Sequence, residues 1–329
     1  MGIKIKWEKL KGLEILLVFI VIVVFFSIFT SNFLRINNLL NISRQIATLG
    51  IASAAMTFTL LIGGIDLSVG FQISMVNVVC AWLMARADID PVLAVFIVLI
   101  MGTLIGFFNG VIIVTTKVPA MIVTLGVMNI LNGLSYMLSG GLPIFGFPES
   151  FKIIGQGEVL GGVPISLIIM AAVLILCQFI LTKTYIGRYF YAVGNNEEAA
   201  RFSGVNTGFV KILAHTICGF LASIGAVILL SRTNSGQSSS GATYVFDIVT
   251  ACVLGGISIK GGKGTIYHVV MGILIVGVMK NGLIVLGASE YTQLVVNGAL
   301  MVIAVIYDTV SRTRSERAKK MKSINADNA

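Results

Sequence analysis

The sequence predicts an all-α polytopic membrane protein with about ten transmembrane helices, based on composition, hydropathy and the length of its apolar runs. Hydrophobic residues make up 57% of the 329 residues, and charged residues only 11%. The mean hydropathy is +0.98. A water-soluble core could not absorb this much apolar surface, so the lipid bilayer must be the solvent.

The apolar runs set the positions of the predicted spans, since roughly 20 apolar residues cross the hydrocarbon core of a bilayer. Gly and polar residues interrupt two of the runs, after Pro119 and from Tyr244 onward. These two runs are candidates for broken or re-entrant segments that line a cavity. The predicted spans are 13–30, 45–62, 67–85, 91–114, 119–139, 164–182, 209–230, 244–259, 265–286 and 292–308.

The basic residues predict the orientation of the chain. With the N-terminus inside, 17 of the 23 Lys and Arg residues fall on the inner side. This asymmetry predicts that both termini are cytoplasmic. It also accounts for the net charge of +9 without nucleic acid, because the basic tail RTRSERAKKMK can lie against anionic lipid. The six remaining basic residues are Arg35, Arg44, Arg86, Lys152, Arg232 and Lys280.

The predicted organisation is one transmembrane domain at 13–310 between a short cytoplasmic segment at 1–12 and a basic cytoplasmic tail at 311–329. The first apolar run is long and no small-residue cleavage site ends it. We therefore expect a retained first span rather than a signal peptide. The transmembrane domain contains one long polar connection, the predicted cytoplasmic loop at 183–208.

Within that loop, GRYFYAVGNNEEAARFSG (187–204) predicts a short helix with its own start and stop signals. Asn195 is a suitable N-cap, and Glu198 lies three residues later, as in a capping box. Glu197 and Arg201 have the i, i+4 spacing of a helical ion pair, and Gly204 can end the helix. A helix of about eight residues is marginal in water by itself, so we expect it to pack on something.

The predicted helix has a small apolar surface that suits a groove on a soluble partner. Ala199, Ala200 and Phe202 form this surface, and Gly194 precedes the helix. The sequence leaves one alternative open, in which the helix lies along the membrane surface as a connector.

Neutral polar residues in the spans mark a candidate pathway. Asn129, Asn132 and Tyr136 share one face of span five at i, i+3 and i+7. Polar side chains are costly in lipid, so this face should turn toward protein or water. Their neutrality suits a hydroxyl-rich solute, and hydrogen bonding between helices is an equally good interpretation. Further candidates in spans two and three are Gln45, Thr57, Gln72 and Asn77.

The block GGIDLSVG predicts a break in helical geometry between spans two and three. Gly63 and Gly64 permit the break, and Asp66 with Ser68 can cap the helix that follows. On the predicted topology Asp66 lies near the cytoplasmic end of the pathway. It is a structural cap or, alternatively, part of a gate or partner contact.

The motifs that carry chemistry are lacking. KGGKGT (260–265) resembles a phosphate-binding loop, but Ile257 lies five residues before Gly262 and Gly264 follows Lys263, so the Walker A pattern is not met. The four cysteines fall inside predicted spans without CxxC spacing, and two histidines are too few for a metal site. We therefore expect no catalysis by this chain, and no metal or cofactor bound to it.

One glycine pattern indicates packing. Gly102, Gly106 and Gly110 recur every four residues in span four, and we interpret them as a stripe that lets a neighbouring helix approach closely.

Four blocks resemble the permease subunits of bacterial ATP-binding-cassette (ABC) sugar importers, the family of the ribose, xylose, arabinose and galactose permeases, and most closely the ribose type. In chain order they are LLIGGIDLSVG (60–70), FNGVIIVTTKVPAMIVTLG (108–126), GRYFYAVGNNEEAARFSG (187–204) and VLGGISIKGGKGTIYHVVMGILIVGVMKNGL (253–283). The resemblance implies a multi-pass protein of the bacterial plasma (inner) membrane that translocates a monosaccharide by alternating access.

The resemblance also implies partners. Residues 194–204 would form a coupling helix that docks into a separate ATPase carrying ATP and Mg. A second permease chain, as in a homodimer, would complete the pathway, and an extracytoplasmic sugar-binding protein would deliver the substrate. Two alternatives stay open: an ABC permease for another small solute such as branched-chain amino acids, and an ion-coupled secondary transporter using Asp247, the candidate acid within a span.

Overall fold

The computed structural model describes residues 7–159 and 161–327, and it describes side chains within 15–306 and at 309 and 310, apart from residue 160. The side chains of the predicted N-terminal segment (1–12) and of the basic tail (311–329) therefore lie outside the described residues. The tail backbone up to residue 327 continues the last helix.

The described chain is mostly helical, as predicted. A 3-10 turn at Glu149–Lys152 and a two-stranded antiparallel ribbon, β1 (Glu158–Val159) and β2 (Val163–Pro164), interrupt the helices. The helices are α1 (Trp7–Phe29), α2 (Ile36–Leu61), α3 (Val69–Ala85), α4 (Pro91–Thr116), α5 (Ala120–Ser139), α6 (Ile153–Gln156), α7 (Ile165–Lys183), α8 (Tyr185–Asn195), α9 (Glu197–Phe202), α10 (Thr207–Thr233), α11 (Ser240–Leu254), α12 (Ile266–Val285) and α13 (Glu290–Asp327).

The predicted fold class is confirmed. Helices α1–α5, α7 and α10–α13 coincide with the predicted spans, and five of the described helices (α4, α5, α7, α10 and α12) are long and apolar enough to cross a membrane. The run after Pro119 forms the continuous 20-residue helix α5. The run from Tyr244 belongs to α11, whose 15 residues fall short of the roughly 20 that cross a bilayer.

Two antiparallel helices, α2 and α10, form the centre of the protein. The backbone of Gly225 in α10 lies beside Thr48 in α2, whereas His215, ten residues earlier in α10, lies beside Gly64 at the end of α2. Every residue of α2 from Ile46 to Leu61 is buried. Because these helices are covered by protein rather than lipid, they can carry polar side chains at membrane depth.

The glycine stripe of α4 packs against α10, as predicted. A Cβ atom on Gly106 would lie 2.2 Å from the carbonyl oxygen of His215, and one on Gly110 would lie 2.6 Å from the Cα of Ile212. From α10, Gly219 approaches the carbonyl oxygen of Gly102 in the same way. The absence of side chains at these positions lets the two backbones touch.

The connections between helices alternate between two faces. On one face, the N–H of Gly262 in the α11–α12 connection donates to the carbonyl of Leu61 at 2.8 Å. The α2–α3 and α4–α5 connections and α9 line a shared cavity on this face. On the other face, Ile144 pairs with Gly236, and the N–H of Gly155 donates to Ser231 Oγ at 2.8 Å. This alternation agrees with the predicted order of crossings.

The packing also shows an internal repeat. Helix α3 packs on α4 and α5 as α11 packs on α12 and α13, and α2 packs on α12 as α10 packs on α4. The two units, α2–α5 and α10–α13, begin with antiparallel helices, so the repeat is inverted. The dipeptide Asn109-Gly110 in α4 recurs as Asn281-Gly282 in α12, at corresponding places in the two units.

Candidate coupling helix and polar pathway

The short helix predicted in the long polar connection is α9, and it is preceded by a separate helix, α8. Asn196 is its N-cap, and the side-chain oxygen of Asn196 accepts from the N–H of Ala199 at 3.0 Å. The predicted cap, Asn195, is wrong by one residue. Residue 199 is an alanine, so the predicted capping box with Glu198 does not form in this register.

Asn195 instead anchors α8 to the neighbouring connection. Its side-chain Nδ2 donates to the carbonyls of Tyr191 at 2.8 Å and Gly262 at 3.2 Å. The Tyr191 hydroxyl donates to the carbonyl of Gly264 at 2.8 Å. Burial raises the pKa of the Tyr191 phenol, so the hydroxyl stays protonated and keeps donating. These contacts hold the KGGKGT turn against α8, in agreement with a tight turn rather than a phosphate cradle.

Gly194 allows the closest approach in this region. A Cβ atom there would lie 1.8 Å from the carbonyl oxygen of Leu61 and 2.5 Å from the nitrogen of Gly262. Helix α8 therefore meets the end of α2 and the α11–α12 turn through backbone atoms, and any larger residue at 194 would force them apart.

The charged residues of α9 pair differently from the prediction. Glu197 forms an ion pair with Lys211 of α10, with Nζ and Oε1 2.6 Å apart, rather than with Arg201. The Arg201 guanidinium lies 5.7 Å from the centre of the adjacent Phe202 ring. Lys211 is fourteen residues away in sequence, so local spacing could not reveal it.

The exposed apolar surface of α9 has fewer residues than predicted, and one large side chain dominates it. Phe202 is 84% exposed, whereas Ala200 is buried against the body of the protein. Ala199 remains exposed, as does Glu198. Gly204 ends the helix with a φ of +84°, as predicted, and the N–H of Val205 donates to the carbonyl of Ala200 at 3.0 Å. Helix α9 thus turns Ala200 inward and presents one large aromatic ring to the exterior.

Asp66 lies in a buried polar cluster between α2 and α3. One carboxylate oxygen accepts from the N–H of Ser68 at 3.0 Å and from its hydroxyl at 2.5 Å. The other lies 3.1 Å from His215 Nδ1, which must donate because a carboxylate can only accept. Asn109 completes the cluster by donating to Ser68 Oγ at 3.0 Å. The predicted pairing of Asp66 with Ser68 is present, but the Ser68 side chain accepts from no N–H of α3, so the predicted cap by Ser68 is wrong. His215 and Asn109 are the members of the cluster that the sequence did not place there.

The polar face predicted on α5 is on the outside of the chain. Asn129 and Tyr136 are exposed, and Asn132 is half-buried. The buried polar residues of α5 are Thr124 and Ser135. The Thr124 hydroxyl bonds to the backbone of Ile65 and Leu67, and the Ser135 hydroxyl donates to the carbonyl of Asn132. The face at 129–136 therefore has to meet a second chain, lipid or water.

The polar candidates in α2 and α3 lie inside the protein. The Thr57 hydroxyl donates to the carbonyl of Ser53 at 2.8 Å, and the Asn77 side chain accepts from the N–H of Gln237 at 2.9 Å. Gln72 donates to the carbonyls of Gly102 and Gly219 at 3.0 and 2.8 Å. The bonds of Gln72 join α3 to α4 and α10, which favours the interpretation as a contact between helices. The Thr57 bond lies within α2, and the Asn77 bond joins α3 to the α10–α11 connection. Gln45 lies on the opposite face and lines a cavity of about 380 Å³ with Arg44 and Arg232.

Asp247 is paired. Its carboxylate accepts from Lys280 Nζ at 2.6 Å and from Asn297 Nδ2 at 2.9 Å, which joins α11 to α12 and α13. Lys280 also lies 5.0 Å from the centre of the Tyr244 ring. The predicted topology places Lys280 among the outside residues and does not predict this contact. The cost of a lone charge in lipid does predict that two such residues pair.

A family model described as a branched-chain amino acid transport system permease component matches residues 38–305. The chain belongs to this permease family. The ribose import permease protein RbsC of Haemophilus influenzae is 37% identical to it over 299 residues, covering 90% of this chain and 92% of that protein. RbsC of Escherichia coli strain K12 is 39% identical over 302 residues, covering 91% and 92%.

A third relative of the permease is the L-arabinose transport system permease protein AraH of Escherichia coli strain K12, 37% identical over 297 residues and covering 89% of each chain. These relatives are sugar permeases by name, which confirms the resemblance in the four sequence blocks. No solved structure matches the permease.

Replacing Gln72 with leucine should lower the free energy of unfolding of the permease by about 1–3 kcal/mol, because a buried hydrogen-bonding side chain that joins three helices is lost. Thermal unfolding of the detergent-solubilised protein measures this change. The matched control is Gln293→Leu, since Gln293 bonds to the carbonyl of Ala288 within its own segment. Equal shifts in the two variants would contradict a bridging role for Gln72.

Proposed function

We propose that this permease is the membrane-spanning subunit of an ABC importer that translocates a monosaccharide, with ribose or a similar pentose as the first candidate. The relatives named for ribose and arabinose support this substrate class. The observation that carries the mechanism is α9, which is anchored through Ala200 and Lys211 while Phe202 faces outward at 84% exposure.

We propose three partners. A separate ATPase, with ATP and Mg, docks on residues 194–204 and supplies the hydrolysis for which this chain has no Walker A motif. A second copy of the permease covers the outer polar face of α5, because Asn129 and Tyr136 are too polar to lie stably against lipid. A sugar-binding protein delivers solute from outside the cell.

In the proposed mechanism, closure of the ATPase dimer on ATP pushes α9. The motion passes through α8 to the end of α2 and to the α11–α12 turn, since their backbones are in contact. The pathway then alternates between the two faces. Both termini lie in the cytoplasm, on the same side as α9, and selectivity resides largely in the binding protein.

The test is reconstitution of the permease in liposomes with the soluble proteins that co-purify with it. We expect uptake of radiolabelled ribose that needs ATP on the ATPase side and the binding protein on the other. Omitting either component is the control. Uptake that follows an ion gradient without ATPase or binding protein would instead support a secondary transporter, with the Asp247–Lys280 pair as the site to examine.

The second candidate is an ABC permease for branched-chain amino acids, the solutes after which the matching family is named. The same liposomes distinguish it, because radiolabelled leucine would then be taken up and ribose would not compete. An independent answer comes from testing whether the co-purified binding protein retains ribose or leucine.

A further inference from the structure

A cavity of about 680 Å³ lies on the face of the permease that carries α9, between α9, α10 and the α2–α3 and α4–α5 connections. Its chemistry differs from one end to the other. Its outer end is lined by Lys117, Arg201 and Lys211 with Glu197 beside them, and its buried end by Gly64 and His215.

The rim is positively charged. Lys117, in the left-handed conformation at the end of α4, and Arg201, on α9, are both exposed. Lys211 contributes a third cation, and Glu197 offsets one of the three through its ion pair at 2.6 Å. Thr207 and Gly208 of the first turn of α10 also line the cavity, and the first N–H groups of a helix have no carbonyl partner within it. The rim therefore offers an excess of donors and positive charge to an anion.

The buried end offers an unpaired ring nitrogen. His215 Nδ1 donates to Asp66, which leaves Nε2 as the ring nitrogen available for a further hydrogen bond. The side chain is 1% exposed, and Nε2 has no hydrogen-bond partner among the described residues. Gly64 lies beside it and has no side chain, and a Cβ atom there would lie 3.8 Å from Nε2. A buried nitrogen left unpaired is costly, so this atom is suited to a hydroxyl from an occupant.

We propose that this cavity is a binding site for a small phosphorylated polyol. The phosphate group lies at the rim between Lys117 and Arg201, and a hydroxyl of the polyol, which can both donate and accept, forms a hydrogen bond with His215 Nε2 at the buried end. Two sources share this chemistry: a soluble sugar phosphate, and the phosphoglycerol headgroup of an anionic lipid. The inference goes beyond the proposed transport function, because no transported solute needs to carry a phosphate.

The site also has a consequence for α9. An occupant that bridges Arg201 on α9 to Lys117 at the end of α4 ties the proposed coupling helix to a helix of the membrane domain. Movement of α9 relative to α4 would then break charge-assisted contacts, so occupancy should slow transport.

The first experiment measures binding calorimetrically on the full-length permease in nanodiscs of phosphatidylcholine, with a pentose phosphate, inorganic phosphate and the free pentose as probes. We expect the pentose phosphate to bind most tightly, and its affinity to fall about tenfold in Lys117→Gln, because a charge-assisted contact is removed. The matched control is Lys263→Gln, an exposed lysine in the α11–α12 turn that does not line the cavity.

The second variant probes the buried end. In Gly64→Ala the added methyl group fits without a clash, since its nearest neighbours would be the Cβ of Ala120 and the carbonyl oxygen of Thr59, both at 3.5 Å. It shields His215 Nε2, so binding of the pentose phosphate should weaken while binding of inorganic phosphate does not change. Gly126→Ala is the control, because a Cβ atom there meets nothing within 4 Å.

The third arm distinguishes the two sources. The nanodiscs are prepared with phosphatidylglycerol, and native mass spectrometry counts the lipids that stay bound. Retention of phosphatidylglycerol that is lost in Lys117→Gln and kept in Lys263→Gln assigns the site to the headgroup. The proposal is overturned if neither phosphate ligand binds, or if the Lys117 and Lys263 variants behave alike. The assay contains no ATPase and measures no sugar uptake, so its failure would leave the proposed function standing.

Discussion

Replacing Lys280 with methionine should lower the free energy of unfolding of the permease by about 3–5 kcal/mol, because it leaves the Asp247 carboxylate buried without its cation. Asp247 is 1% exposed, and its partner Nζ lies at 2.6 Å. Methionine keeps most of the volume of the lysine stem, so the loss reports charge rather than packing. Thermal and denaturant unfolding in a fixed detergent measure the change.

Two further variants make this prediction specific. In the double variant Asp247→Asn with Lys280→Met the buried charge is gone, and we expect most of the lost stability to return. Lys152→Met is the matched control, because Lys152 pairs with Glu149 at the surface, where the Glu149 side chain is 83% exposed. Such a pair contributes about 0–1 kcal/mol. If Lys280→Met cost no more than Lys152→Met, the intramembrane pair would have no structural role.

Replacing Phe202 with alanine should weaken binding of the ATPase by about tenfold or more, with a parallel loss of sugar uptake and of ATPase stimulation. An exposed aromatic ring on a fixed helix is the kind of side chain that dominates binding at protein interfaces. Because Phe202 is 84% exposed, its removal breaks few contacts within the permease, and insertion and stability should not change. Co-purification yield and ATPase rate in nanodiscs measure the effect.

The control for Phe202→Ala is Phe179→Ala. Phe179 is 57% exposed, and it lies on the membrane helix α7 rather than on α9. It should leave ATPase binding intact. The fully inward residue Ala200 gives a contrasting result, since a bulky substitution there should loosen α9 from the protein as well as lower coupling. ATPase binding that survived in Phe202→Ala would remove α9 from the docking surface.

The sequence predicted the helices well because bilayer thickness leaves few choices for the length of an apolar run. Boundaries and caps inside polar segments were less accurate. Asn195 and Asn196 are both good caps, and what separates them is a tertiary contact, the bond from Asn195 to Gly262. A scan along the chain has no access to that contact.

The polar contacts likewise include some that the sequence could predict and some that it could not. Asp66 and Ser68 are two residues apart, so the sequence could predict their contact, whereas Asp66 and His215 are 149 residues apart. The pairing of Asp247 with Lys280 was within reach, because each is costly alone at membrane depth. The outward orientation of Asn129 and Tyr136 was not, since helical spacing tells which residues share a face but not what that face meets.

The joint between α8 and the membrane helices has a mechanical consequence. It is made of backbone atoms: the Gly262 N–H on the Leu61 carbonyl, and Gly194 pressed against both. Side chains bend at their rotatable bonds and absorb displacement, whereas touching backbones do not. The joint therefore has little compliance. A small displacement of α9 should move the end of α2 and the α11–α12 turn by nearly the same distance.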